Sequence, residues 1–319
     1  MKTTTRRRAL SLLTASSAVA LVPAPTLLAA TEDPFEGGIG GTGIVGLMTG
    51  RGSLFINGLR VEIPDGANLT LNGIPVSEDD LLPGVAMTVV AEAREDRFVA
   101  ARVDAEHPLI GMVADTGGVI TINGAPIVMD PGARTAPVAG QRMAASGVWR
   151  ADGALQTSLI QPVSGTTDRI AGTVTDAGRI GMGRIGLTKV AANGLKSGEY
   201  AAILGRYENG TFVAQRVQNG RFRAGTALDQ LSVEGYLEPV SDAPGFRIAG
   251  LGHSFARSLD LRPYAARRSV FFGRYAGLFV ARRAVAVPER QGARRRLLTP
   301  DSDAARSAGL GRARRIDDR

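Results

Sequence analysis

Apolar and polar residues alternate along this chain in short runs, and Gly, Asn or Asp interrupts them at roughly 8 to 12-residue intervals, the rhythm of short β-strands and tight turns. No run sustains the 3.6-residue spacing of an amphipathic helix. The runs also repeat. VAEAREDRFVAARV (90–103), SGVWRADGALQTSLI (146–160), LGRYENGTFVAQRV (204–217) and FGRYAGLFVARRAV (272–285) each read as strand, turn and strand. Their turns fall at Glu95-Asp96, Asp152-Gly153, Asn209-Gly210 and Ala276-Gly277. Asn-Gly and Asp-Gly tolerate the positive φ that two-residue hairpins require. Phe98, Leu155 and Phe212 recur at intervals of 57 residues, and Phe279 follows after 67.

Each hairpin has an upstream partner. GIVGLMTGRGSLFINGLRV from Gly43 is echoed from Ile110, from Ile170 and more faintly from Val233, with Asn57-Gly58 and Asn123-Gly124 set between alternating runs. A glycine marker separates the halves at Leu82-Pro83-Gly84, Val138-Ala139-Gly140 and Lys196-Ser197-Gly198, and Ser77 stands ready to cap a short turn over Glu78, Asp79 and Asp80. The pattern predicts an all-β chain of four tandem, small, five-stranded barrel or half-barrel repeats of the oligonucleotide/oligosaccharide-binding (OB) type. The expected division is an export signal at 1–30, a Gly-rich lead-in at 31–42, repeats at 43–107, 108–165, 166–226 and 227–289, and a disordered Arg-rich tail at 290–319. Units of this size are marginal alone, so neighbours are expected to pack on one another. The linkers near 108, 166 and 226 are expected to be open to proteases.

The first thirty residues hold a basic start, an uncharged Ala/Leu/Val/Ser/Thr run and small residues suited to cleavage after Ala30, the layout of a secretory signal. Thr5 to Leu10 also resemble the twin-arginine export consensus, although the same start serves the general secretory route. The expected location is therefore periplasmic or extracellular, with no membrane span once the signal is removed. There are no cysteines, which leaves the fold to packing and removes thiolate chemistry.

Net charge is +8, but the signal and the tail carry the excess and the body from 31 to 289 is near neutral. Residues 31–107 hold thirteen acids against five Arg, whereas 231–289 hold eight Arg against five acids. Among them, Arg267, Arg268, Arg274, Arg282 and Arg283 form a candidate basic surface for a polyanion such as nucleic acid, an anionic lipid or an acidic polysaccharide.

GIGGTG, within GGIGGTGIVG at 37–46, matches G-x-G-x-x-G, yet strand patterns follow it and no βαβ unit surrounds it, so it is not read as a dinucleotide site. His107 and His253 are far apart and are read as surface or boundary residues rather than metal ligands. Glu78, Asp79 and Asp80 lack the spacing of a cation loop. Gly252-His253-Ser254 lacks the second glycine of a nucleophile elbow. Phe55, Phe98, Trp149, Tyr207 and Phe279 occupy apolar strand positions and are read as core rather than as base-stacking platforms.

GGIGGTGIVG, the strand and turn from Gly52 to Gly58, Asn72-Gly73, Leu82-Pro83-Gly84 and the hairpin from Glu92 to Val103 together resemble a family of exported bacterial proteins catalogued as domain of unknown function 5666. The resemblance implies secretion and tandem OB-like β units, and brings with it no reaction, cofactor or catalytic residue. The expectation is thus a non-catalytic binding or structural protein of the cell envelope, with no cofactor, no metal and an unidentified envelope protein or polymer as partner. A polyanion binder and a hydrolase of an envelope polymer are the competing readings.

Overall fold

Four asparagines sit at φ between +50 and +57: Asn57, Asn72, Asn123 and Asn209. Each is followed by a glycine also at positive φ, the backbone of a turn whose twist matches the strands it joins. These turns cut the alternating runs into twenty-two strands in the computed structural model. It describes residues 41–286 apart from 51–52, 95–96, 132, 134, 176–177, 187–194, 223–225, 240–244, 252–260, 265–266 and 277. The signal, most of the lead-in, the tail, His253 and the turns at Glu95-Asp96 and Gly277 lie outside the described residues.

The first unit comprises β1 (Gly41–Gly50), β2 (Leu54–Ile56), β3 (Leu59–Glu62), β4 (Asn68–Leu71), β5 (Ile74–Pro75), β6 (Ala86–Arg94) and β7 (Arg97–Glu106). The second holds β8 (Leu109–Thr116), β9 (Val119–Ile122), β10 (Ala125–Met129), β11 (Arg142–Trp149) and β12 (Leu155–Pro162). The third holds β13 (Asp168–Thr173), β14 (Arg179–Ile180), β15 (Gly183–Gly186), β16 (Tyr200–Glu208) and β17 (Thr211–Asn219). The fourth holds β18 (Leu228–Gly235), β19 (Leu237–Pro239), β20 (Phe246–Ile248), β21 (Ser269–Ala276) and β22 (Leu278–Ala286).

The fold is nearly all β. In the first unit the ladder β1-β2-β3-β7-β6 returns to β1 and closes a five-stranded barrel, with β3 and β7 parallel and the other neighbours antiparallel. The ladder β8-β9-β10-β12-β11 closes on β8 in the same order. In the third unit the same order closes through a single bridge, Val174 to Ile180. In the fourth, β18, β21 and β22 keep the order while β19 and β20 pair separately.

The 57-residue period now has a physical meaning. Phe98, Leu155 and Phe212 are all buried, and each sits in parallel register with the third strand of its unit, opposite Val61, Ile127 and Ile185 respectively. The glycine marker recurs for an equally concrete reason. Gly84, Gly140 and Gly198 each donate a backbone N–H to a residue in or directly after their unit's first strand, at Met48, Val113 and Val174, from a positive φ that a side chain would strain. A β-bulge also recurs in the hairpin of every unit, at Val90/Ala91, Ser146/Gly147, Leu204/Gly205 and Phe272/Gly273. At the start of the 3₁₀ turn Glu78–Asp80 the Ser77 Oγ and N–H both donate to the Asp80 carboxylate, at 2.7 and 2.8 Å.

The units do not follow one another like beads. β1 of the first unit pairs in parallel with β18 of the fourth, and β8 of the second pairs antiparallel with β13 of the third. The first and fourth units therefore share one sheet, and the second and third share another. One apolar core, from Leu109 through Trp149 and Ile170 to Phe212, runs without a break through the second and third units.

Candidate functional site at the sheet crossover

The chain crosses from the first sheet to the second between β7 and β8, and returns between β17 and β18. Both crossings meet at one buried cluster. Glu106 ends β7, and the outward face of that strand carries Arg102, Asp104 and Glu106 at two-residue intervals, as the β period requires. The Glu106 carboxylate accepts hydrogen bonds from Arg169 Nη2 at 3.0 Å and from the Tyr200 hydroxyl. Arg221, on the returning crossing, pairs with its second oxygen at 2.7 Å and donates to Thr88 Oγ at 2.8 Å. Its guanidinium also lies 4.2 Å from the centre of the Tyr200 ring, a cation–π contact.

Every polar member of this cluster is buried, so its charges act on one another with little screening. Burial drives the Glu106 carboxyl upward, but Arg221 and Arg169 outweigh it and hold the group below the usual carboxylate range. For the Tyr200 hydroxyl, burial and the neighbouring Glu106 charge raise the pKa well above its ordinary value, which leaves the phenol a proton donor. In Arg221 burial favours the neutral form, yet Glu106 and Tyr200 more than compensate and its pKa is raised.

His107 follows directly and is 2% exposed, which corrects its reading as a surface or boundary residue. Asn72 accepts the His107 backbone N–H at 2.8 Å through its side-chain oxygen, and its Nδ2 faces the ring Nδ1 at 3.2 Å. The other ring nitrogen faces the Gln161 amide at 3.4 Å, and Arg169 Nε donates to the His107 carbonyl at 3.1 Å. Burial first and the Arg169 charge second push the imidazole down to about 4. The linker at Pro108 is buried too, so this boundary is not the open joint that the repeat pattern suggested.

A second ion cluster ties a different set of units. Arg268 contacts Glu234 at 2.8 Å and Asp130 at 3.1 Å, and Glu234 also accepts the Leu47 N–H at 2.9 Å. Its side chain is 16% exposed, so Arg268 is an internal tie joining the first, second and fourth units and not part of a basic surface. Arg267 and Arg274 are exposed, whereas the side chains of Arg282 and Arg283 lie outside the description. Ser146 adds further polar contacts between the sheets, accepting the Ala86 N–H and donating to the Glu106 carbonyl, both at 2.7 Å.

Trp149, the only tryptophan, sits where three units meet. Its Nε1 donates to the Ala171 carbonyl at 2.9 Å, and its ring lies against Gly172, Gly181 and Gly250, none of which has room for a Cβ beside it. Of the other aromatics read as core, Phe98 is buried and Tyr207 half-buried, but Phe55 is 39% exposed and faces outward on β2 beside Arg60. A strand as short as β2 buries only the two flanking residues, Leu54 and Ile56, and an odd position between them faces solvent. The Phe279 side chain lies outside the description.

Between the units a narrow void of about 20 Å³ is lined by Val45, Leu47, Met87, Val148, Arg221 and Glu234, space for about one water molecule. Among the described residues no three His, Asp or Glu side chains are grouped to hold a metal, and no helix is long and apolar enough to cross a membrane. Sequence reasoning missed Glu106, Arg169, Tyr200 and Arg221 as a group. The available signal was a charge set directly against an apolar strand run, at Glu106 before HPLIGM and at Arg169 before IAGT. No protein-family model, curated protein or solved structure matches the chain.

Proposed function

We propose that this is an exported, non-catalytic binding or structural protein of the bacterial cell envelope, built of four OB-like repeats and related to the domain of unknown function 5666. The observation that carries the reading is the sharing of each sheet between two units. Sheet pairing and buried ion clusters lock small barrels into one block, which supports a fixed, extended outer surface better than an opening cleft. The ionisable groups buried in the two clusters are bound to one another across unit boundaries and so serve cohesion.

Photo-crosslinkers placed at the outward positions Phe55, Val119 and Val128 in cells test this reading. A discrete crosslinked envelope component at one or more positions is expected. Absence of any crosslinked species, or release of soluble products from envelope polymers by the purified protein, would overturn it.

A polyanion-binding reading draws on Arg267 and Arg274, which are exposed in the fourth unit. It expects salt-dependent retention on heparin that drops on deletion of residues 290–319 and drops further with Arg274→Ala. Retention indifferent to both changes would remove it.

A further inference from the structure

The hydrogen bonds around His107 fix its protonation without reference to any titration. The Asn72 side chain has one orientation available, because its oxygen is committed to the His107 backbone N–H. Its Nδ2 therefore presents a proton to the ring Nδ1, which must meet it with a lone pair. The folded arrangement thus holds a neutral imidazole whose single proton is on Nε2, the nitrogen that faces the Gln161 side-chain amide at 3.4 Å. A second proton on Nδ1 would set N–H against N–H. Turning the Asn72 amide to relieve that conflict would strip the backbone N–H of the buried His107 of its side-chain acceptor.

The surrounding charges point the same way. The groups facing His107 are Asn72 from the turn after β4, Glu106 from β7, Gln161 from β12 and Arg169 from β13, with Arg221 and Tyr200 behind Glu106. The single Glu106 charge is already shared between two arginines, so the immediate cluster is one positive charge in excess. A cationic imidazole would add a second, buried and unpaired.

His107 also lies on the crossing that connects the two sheets, and Arg221, paired to its neighbour Glu106, lies on the other. We propose that this junction is an acid-operated latch: protonation of His107 releases the contact between the sheet of the first and fourth units and the sheet of the second and third. The neutral ring belongs to the closed form and the imidazolium to a form in which the junction has opened to water. With a value of about 4 when closed and about 6.5 once open, the ratio of open to closed rises ~60-fold between pH 7 and pH 4.5.

The chain lacks cysteine, so paired labels can be placed without background. Asp65→Cys and Thr135→Cys put spin labels on exposed positions of the first and second units, one on each side of the junction. Pulsed distance measurement from pH 7.5 to 4.5 is expected to show a single distance at neutral pH and a growing second population below pH 6. Slow amide exchange in β16 and β17 should persist throughout. His107→Gln, which offers the same acceptor and donor but cannot gain a proton, is expected to keep the closed distance across the range. The proposal is overturned by an unchanging distance in the native protein, by the same opening in His107→Gln, or by loss of β16 and β17 protection in step with the distance.

Should His107→Gln fail to fold, the His253→Gln protein leaves one histidine to follow by NMR. Its imidazole must then titrate below the ordinary value and in step with the distance change. Titration at the ordinary value with no movement overturns the latch.

Discussion

Asn123 is more than a turn residue, and the excess can be measured. Its Nδ2 donates to the Ile110 carbonyl on β8 at 2.9 Å and to the Arg169 carbonyl on β13 at 2.8 Å, so one amide clips together two strands of different units. Among the described residues its Oδ1 has no hydrogen-bond donor. That oxygen instead fills the space where a Cβ on Gly111 would sit, and all three of the nearest atoms there belong to Asn123. Gly111→Ala is therefore expected to cost about 1 to 3 kcal/mol through overpacking. Asn123→Gly keeps the positive φ and loses two hydrogen bonds, at roughly 1 kcal/mol each.

Combined, the changes should not add. With the amide gone, the methyl group introduced by Gly111→Ala has room, and the stiffer backbone should make that substitution stabilising by about 0.5 to 1 kcal/mol. The coupling is then on the order of 2 to 3 kcal/mol, well outside the scatter of independent sites. Urea denaturation followed by the fluorescence of the single tryptophan measures all four corners of the cycle. Equal effects of Gly111→Ala in both backgrounds would refute the reasoning. Asn57 repeats the device in the first unit, donating to Val45 and to Ser232 of the fourth at 3.0 Å each, with Gly46 beneath its oxygen.

Glu106→Gln should destabilise the protein by about 3 to 5 kcal/mol in the same assay, because it leaves two buried arginines without a counter-charge. Adding Arg169→Met and Arg221→Met should recover part of that loss, and no recovery would show that the cost lies elsewhere. Trp149→Ala should cost about 3 to 5 kcal/mol, and a loss under 1 would contradict its placement among three glycines. Stability should fall by about 3 kcal/mol as pH drops from 6.5 to 4, since the unfolded chain protonates His107 before the folded one, whose value is about 4. Glu106 acts in the same direction at lower pH, its contribution being present above its unfolded pKa and lost as pH falls through the depressed folded one; an equal slope in His107→Gln would reject the assignment. Limited proteolysis should cut near Gly165–Thr167, which are exposed, and spare the buried step at 107–108.

What could be read from the sequence were the features that act over a few residues. Asn-Gly and the glycine markers encode φ, and alternation encodes which side of a strand is apolar, so the turns, the strands and the 57-residue period follow directly. Phe55 shows where alternation stops helping, because Leu54, Phe55 and Ile56 are all apolar and no polar position in so short a strand marks its outer face. The candidate site was hidden for a different reason. Glu106 and Arg169 are 63 positions apart and Glu106 and Tyr200 are 94 apart, and each alone resembles an ordinary surface charge. Arg268 reads as surface on the same logic, although its partners Asp130 and Glu234 come from two different units. Local pattern identifies the units, whereas the order in which they are stacked depends on pairings that no local pattern encodes.

The parallel pairing of β1 with β18 has a consequence for the order of assembly. The second and third units are adjacent in sequence and can complete their shared sheet as soon as both are present. The first unit cannot, because the strand that covers the edge of β1 begins at Leu228, almost two hundred residues later. Closure across that distance is slow, and until it occurs the start of β1, from Gly41 to Val45, keeps one open edge of the sort that recruits other chains. A nascent chain halted before the fourth unit would thus carry one finished sheet and one adhesive edge, which makes the interval between residues 110 and 235 the period of greatest exposure to misassociation.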